Sequence, residues 1–109
     1  MSSGDFDNQS DDEERPDFPG YLVRHLPIIN RKGLHARATA KLVQCIDGFE
    51  CDVLISKGGE TVGGTSIMGI LTLGAGIGST ITVAVKGAEA EAALTAITAL
   101  VGNKFGEDE

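Results

Sequence analysis

Residues 33–48 read GLHARATAKLVQCIDG and contain one of the chain's two histidines at the point where a loop becomes a helix. From Ala36 to Ile46, apolar or neutral side chains recur at helical spacing. Asp47-Gly48 is typical of a helix end. His35 is therefore predicted to occupy the N-cap position, with Arg37 following two residues later and no carboxylate or cysteine nearby in the sequence.

A helix start of this kind favours an anion. The first backbone N–H groups of a helix lack partners within the helix, and the macrodipole places partial positive charge at that end. Arg37 adds a fixed cation with several donors. Because a neutral imidazole keeps one free lone pair, His35 can act as a nucleophile toward a bound phosphoryl group. The simpler interpretation is that His35 only caps the helix, as most polar residues at helix ends do.

The charge of the chain is unevenly distributed. The 109 residues allow one domain with a net charge of −7, but residues 1–20 alone carry seven acids and one base. This segment is rich in polar residues and poor in apolar ones, so we expect a disordered acidic tail. Residues 107–109 form a second acidic end, whereas residues 21–106 hold six acids and eight bases. Four of these bases flank His35: Arg31, Lys32, Arg37 and Lys41. A basic patch of this kind is usually solvated surface, and the alternative is a site for an anion or an acidic partner.

Other classes of function are disfavoured by the composition. Cys45 and Cys51 make neither a disulfide framework nor a zinc site, and the glycines at 63–64 and 74–78 do not form a nucleotide-binding fingerprint, so we expect no metal and no cofactor. The bases are few and no aromatic residues interleave with them, which argues against nucleic acid. No apolar run spans a bilayer and no signal pattern is present, so we expect a cytoplasmic protein without membrane insertion. His25 is expected at a surface or sheet edge.

Periodicity and turn residues predict seven elements in the order β-α-β-β-α-β-α. One sheet covered on one face by helices is the economical arrangement for so short a chain. The predicted strands and helices are 21–30, 36–46, 49–56, 60–64, 66–74, 79–86 and 87–102.

Two separated stretches, GLHARATAKLV at 33–43 and TSIMGILTLG at 65–74, closely resemble the phosphocarrier HPr family of the bacterial phosphotransferase system, including its nitrogen-regulatory branch. The resemblance extends from about Tyr21 to Phe105 in the same element order. It implies an α+β fold, an open-faced β-sandwich in which a four-stranded antiparallel sheet carries three helices on one face. Residues 21–109 would form this domain after the acidic tail.

The resemblance also implies functional residues. His35 would take a phosphoryl group at Nδ1 from enzyme I and pass it to an EIIA-type protein, with Arg37 and the backbone of Ala36, Arg37 and Ala38 binding the phosphate. Such a protein is a stoichiometric carrier and not a turnover enzyme, and we expect a monomer. The family's usual proline after the arginine is replaced by Ala38. A proline in the first helical turn lacks an N–H that would be unpaired anyway, and alanine restores that donor close to the anion site, so we expect transfer to survive. The replacement of the usual proline favours a regulatory over a sugar-transporting subgroup.

The second stretch implies a regulatory and a docking role. Ser66 is expected to cap the second helix, and it matches the serine that a dedicated HPr kinase/phosphorylase modifies in part of the family. Some of the apolar residues Ile67, Met68 and Leu71 must pack inward, and the remainder would form the surface that binds donor and acceptor. A second function stays open: a regulatory binding module whose phosphorylation state, on His35 or Ser66, is sensed by partners.

Overall fold

The computed structural model describes residues 18–108, and the first 17 residues of the predicted acidic tail lie outside this range. Residues 18–20 form a turn in which the Tyr21 amide donates to the Phe18 carbonyl (3.1 Å). The elements are β1 (Leu22–Pro27), α1 (Ala36–Asp47), β2 (Asp52–Lys57), β3 (Glu60–Gly63), α2 (Ile67–Thr72), β4 (Thr80–Lys86), α3 (Ala90–Gly102) and a short 3-10 turn over Lys104–Gly106.

The four strands form one antiparallel sheet with the order β1-β4-β2-β3. Central strand β4 pairs with β1 on one side, where Leu26 faces Ile81, and with β2 on the other, where Ile55 faces Val83. Consecutive strands β2 and β3 are joined by the predicted hairpin, with Lys57 opposite Glu60. Three α-helices accompany the sheet, and the predicted α+β open-faced arrangement is confirmed.

One hydrophobic core lies between the sheet and the helices. The largest completely buried apolar side chains come from the sheet, from the loop after β1, from all three helices and from the C-terminal turn: Ile28, Leu42, Ile55, Ile70, Ile81, Val83, Val85, Ile97, Val101 and Phe105. His25 lies on edge strand β1, exposed, with its Nδ1 hydrogen-bonded to Thr82 Oγ1 at 2.9 Å, as expected for an edge residue.

Three predicted boundaries are wrong for physical reasons. Strand β1 ends at Pro27 and not at residue 30, because the Asn30 carbonyl accepts from the Gly33 amide at 3.2 Å in the turn before α1. Strand β2 begins at Asp52 and not at residue 49, because the Phe49 amide still donates to the Ile46 carbonyl at 3.1 Å in the turn after α1. Helix α3 begins at Ala90 and not at residue 87. Its N-cap residue is Glu89, whose Oε1 accepts a hydrogen bond from the Glu50 amide at 2.6 Å. The turn over Lys104–Gly106 was not predicted.

A close approach of two backbone segments fixes the start of α1. The Leu34 amide donates to the Ala75 carbonyl at 2.8 Å, so the loop after α2 lies against the residues that precede His35. Gly33 makes this possible, because a Cβ there would stand 2.5 Å from the Ala75 oxygen and 2.8 Å from the Gly76 Cα. Its φ of +66° is also one that L side chains rarely adopt.

Gly33→Ala should therefore destabilise the fold. The left-handed conformation alone costs about 1–3 kcal/mol for a residue with a Cβ, and the overlap with the Ala75 backbone adds to it. The measurement is the free energy of unfolding by urea, with Gly76→Ala as the matched control in the loop that Gly33 contacts. A Cβ at Gly76 meets nothing within 4 Å and its φ is outside the left-handed region, so the control should stay within about 0.5 kcal/mol of wild type. Equal stability of the two variants would contradict this account.

Candidate phosphoryl-acceptor site

His35 occupies the N-cap of α1 with an extended backbone (φ −77°, ψ −178°), as predicted. Its carbonyl accepts the first helical hydrogen bond, from the Thr39 amide at 2.9 Å. Its side chain makes no capping hydrogen bond to the helix. The imidazole therefore does not cap α1 through a hydrogen bond, and it has another partner.

That partner is a carboxylate from the far end of the chain. His35 Nε2 is hydrogen-bonded to Glu107 Oε2, 72 residues later. Asn30 Nδ2 donates to the other carboxylate oxygen, Oε1, at 2.9 Å and to the Gly33 carbonyl at 2.9 Å. Asn30 is buried, whereas the side chains of His35 and Glu107 are 28% and 16% exposed. The sequence interpretation treated Glu107 only as part of an acidic end and missed this contact.

The C-terminal segment reaches α1 through an unusual turn. After α3 ends at Gly102, the backbone of Lys104 and Phe105 adopts φ of 56° and that of Gly106 adopts 80°. The Phe105 side chain is fully buried, and its carbonyl accepts a hydrogen bond from Lys41 Nζ at 2.8 Å. The segment is thus anchored to the core and to α1. A sequence signal for this anchor is the single aromatic residue directly before the acidic end.

The carboxylate of Glu107 is ionised at neutral pH. The hydrogen bond from Asn30, followed by the one from His35, lowers its pKa below the ordinary value of 4.5, and the charge of Lys32 acts in the same direction. An ionised carboxylate only accepts hydrogen bonds. The hydrogen in the contact with His35 is therefore on Nε2, and the other ring nitrogen, Nδ1, has no hydrogen-bond partner among residues 18–108.

A pocket of 430 Å³ adjoins the histidine through Glu107. It is lined by Lys32, Arg37, Lys41, Gly106, Glu107 and Asp108. Three of the four predicted bases thus line one pocket, whereas Arg31 is exposed and does not line it. The amides of Ala36, Arg37 and Ala38 form no hydrogen bond with any other described residue. The arrangement can hold an anion next to the imidazole, because it combines free helix N–H groups with three cations.

The second predicted motif forms the start of α2. Ser66 is its N-cap and its Oγ accepts a hydrogen bond from the Gly69 amide at 3.1 Å, so the predicted cap is confirmed. Ile67 and Met68 are 42% and 72% exposed, Leu71 is half-buried, and the inward-packing residue of α2 is Ile70.

Other sites are not formed within the described part of the chain. Residues 18–108 contain no group of three or more His, Cys, Asp or Glu side chains that could hold a metal ion. None of their helices has both the length and the apolar character needed to traverse a bilayer. Cys45 and Cys51 are half-buried, and burial raises the pKa of both thiols, with Asp52 and Glu89 adding to the shift at Cys51. Both therefore stay protonated at neutral pH.

The fold is an open antiparallel sheet with helices, and a histidine lies at the N-terminus of the first helix, beside a basic pocket. Together these features define the class of HPr-like domains. A family model described as the PTS HPr component phosphorylation site matches residues 23–103. The chain belongs to this family.

Individual relatives agree with this assignment. The phosphocarrier protein HPr of Cupriavidus necator is 48% identical over 88 residues, which are 81% of this chain and 99% of that protein. The phosphocarrier protein NPr of Shewanella violacea is 44% identical over 86 residues, covering 79% and 94% of the two chains. Among solved structures, HPr-C-His from Thermoanaerobacter tengcongensis superimposes with a TM-score of 0.78 at 34% identity, covering 81% of this chain and 99% of the other.

Proposed function

We propose that His35 is the residue on which this phosphoryl-relay protein of the phosphotransferase system carries its phosphoryl group. The observation that carries the proposal is the free Nδ1 of an imidazole at a helix N-terminus, beside a pocket lined by three cations. Phosphorylated enzyme I would be the donor and an EIIA-type protein the acceptor. The protein would work in the cytoplasm as a monomer.

In the transfer, the lone pair of His35 Nδ1 forms the bond to phosphorus. The bond between phosphorus and the donor breaks, and its electron pair leaves with the donor. The proton on Nε2 stays in place, and Arg37, Lys32 and Lys41 offset the negative charge of the phosphoryl oxygens. The reverse displacement, by a nucleophile of the acceptor, returns the electron pair to Nδ1. The protein ends unchanged after each relay, as a stoichiometric carrier and not as an enzyme with its own turnover.

Partners would dock on the exposed side of α2. Ile67 and Met68 present apolar surface there, and half-buried Leu71 continues it. Met68 is unbranched and adaptable, which suits a surface that must fit both a donor and an acceptor. Ser66 lies at the start of the same helix and is exposed, which makes it accessible to an HPr kinase/phosphorylase.

The next question is whether this carrier belongs to the sugar-transporting or to the regulatory branch of the family. Relatives named HPr and NPr match to a similar degree, so the choice rests on Ala38. We favour a regulatory carrier, since Ala38 replaces the proline of the usual motif. Ala38 is buried and its amide has no partner within residues 18–108, so the substitution adds one N–H at the anion site. The alternative is a binding module whose phosphorylation state is only a signal, and the intact His35 and Arg37 favour the carrier.

His35→Ala should abolish acid-labile phosphate completely, because no other side chain replaces Nδ1. The measurement is the intact mass after incubation with enzyme I and phosphoenolpyruvate, before and after acid treatment. His25→Ala is the matched control, since His25 lies on the sheet edge with Thr82 as its partner, and it should be labelled as fully as wild type. Acid-labile phosphate on the His35 variant would refute the assignment.

Arg37→Ala should slow transfer about tenfold or more while the melting temperature changes little. Arg37 is exposed in the first turn of α1, and its charge matters mainly when a phosphoryl group is present. Rapid-quench rates of phosphorylation by enzyme I give the comparison. The control is Arg24→Ala, which removes the same charge from exposed strand β1. A rate for the Arg37 variant within twofold of wild type would contradict the role.

Ser66→Asp should weaken enzyme I binding and slow phosphorylation of His35. An acidic side chain at the N-cap of α2 is compatible with the helix, so the melting temperature should hold. The loss should arise at the interface, where a desolvated charge without a partner is costly. Ser66→Ala separates the effects: it removes the cap bond to Gly69 without adding charge and should leave transfer rates intact. Equal rates for Ser66→Asp and wild type below saturation would leave Ser66 as a cap only.

A further inference from the structure

The contact between His35 and Glu107 joins the start of α1 to the C-terminal segment. We propose that Glu107 is a positioning residue for phosphoryl transfer: its carboxylate selects the Nε2–H form of the neutral imidazole and fixes the ring so that the Nδ1 lone pair is available. The inference rests on the proposed function of His35. It assigns the orientation of the acceptor nitrogen to a residue outside both sequence motifs.

The hydrogen-bond partners of the carboxylate determine its effect. Both Glu107 oxygens accept: Oε1 from Asn30 Nδ2 at 2.9 Å and Oε2 from His35 Nε2. A neutral imidazole carries one hydrogen, and an acceptor-only partner at Nε2 places it there. The lone pair is then on Nδ1, which no described residue contacts by a hydrogen bond.

Asn30 holds the carboxylate independently of the histidine. Its buried amide nitrogen bridges Glu107 and the Gly33 carbonyl, so it ties the carboxylate to the loop before α1. Its Oδ1 is buried without a hydrogen-bond partner among the described residues.

The backbone conformation of the C-terminal turn also supports the proposed role of Glu107. Lys104 and Phe105 both lie in the left-handed region that residues with a Cβ rarely adopt. Burial of Phe105 and the hydrogen bond from Lys41 maintain this conformation. The result of the turn is the placement of Glu107 two residues later. Backbone held in sparsely populated conformations is concentrated at functional sites.

The charge of Glu107 also suits the transfer step. When Nδ1 bonds to phosphorus while Nε2 keeps its hydrogen, the imidazole ring becomes positively charged. The carboxylate at Nε2 stabilises this charge as it develops. Its repulsion of the phosphoryl oxygens, and that of Asp108, is opposed by Lys32, Arg37 and Lys41, which line the same pocket.

Glu107→Gln tests the proposal with an almost isosteric change. The amide offers one acceptor where the carboxylate offers two, and Asn30 Nδ2 requires that acceptor. The NH₂ group then faces His35 Nε2, which favours the opposite tautomer with hydrogen on Nδ1. Long-range ¹H–¹⁵N NMR of the unphosphorylated protein should show Nε2–H for the neutral ring in wild type and a shift toward Nδ1–H in the variant. The phosphorylation rate at saturating enzyme I should fall about tenfold or more, with little change in the enzyme I concentration at half-maximal rate.

Glu91→Gln is the control, because it removes the same charge from the exposed first turn of α3, at the opposite end of that helix from the C-terminal turn. It should change neither the tautomer nor the rate. Glu107→Asp keeps both acceptor oxygens and should retain more Nε2–H and more activity than Gln. An unchanged tautomer or an unchanged rate in Glu107→Gln would overturn the inference. Absence of acid-labile phosphate on wild-type His35 would instead overturn the proposed function, since the tautomer measurement needs no phosphoryl donor.

Discussion

The close approach of Gly33 to Ala75 is the constraint on which the site depends. It brings the loop after α2 against the residues before α1, so the N-terminus of α1 has a fixed position relative to α2. Without it, His35 would begin a helix whose start is free to shift, and the apolar side chains of α2 would have no fixed relation to the imidazole. The same segment contains Asn30 and the Gly33 carbonyl that it binds. One short loop therefore positions the histidine, its carboxylate partner and α2 together.

The electrostatics of the site are local and differ in sign from the net charge of the chain. The net charge of −7 is concentrated in the ends, whereas Lys32, Arg37 and Lys41 line the pocket beside the N-terminus of α1. Glu107 and Asp108 bring two negative charges back into this basic region. A carboxylate next to the histidine is costly for binding an anion in the proposed phosphate site. The proposed orientation of the ring by Glu107, and stabilisation of the ring's positive charge during transfer, would compensate for that cost.

Helix α2, the proposed docking helix, combines two properties that a relay needs. Its buried side is anchored by Ile70, and its outer side presents Ile67 and Met68 as apolar surface. Apolar contact with an adaptable methionine allows two different partners to bind in turn, because it does not depend on the directional bonds that polar contacts require. The start of the same helix carries Ser66, so a charge placed there would alter the interface without altering the core.

Local patterns in the sequence determined much of this protein. The N-cap position of His35 follows from helical spacing after residue 35 and from the stop at Asp47-Gly48, and the edge position of His25 follows from its strand. The capping of α2 by Ser66 follows from the position of Ser66 before an apolar helical run. These features depend on neighbours within a few residues, and short-range preferences act at that distance. The resemblance of two motifs added the family fold and the proposed roles of His35 and Arg37.

Only the tertiary structure decided the partner of the histidine. Glu107 lies 72 residues from His35, and no periodicity or capping rule links residues that far apart. Its placement results from burial of Phe105 in the core, from two left-handed residues that no sequence pattern predicts, and from Asn30, which is buried by the same folding event. Such a contact depends on long-range packing, which local sequence patterns do not reveal. For this reason the sequence located the proposed nucleophile, and the fold decided which of its two nitrogens has no hydrogen-bond partner among the described residues.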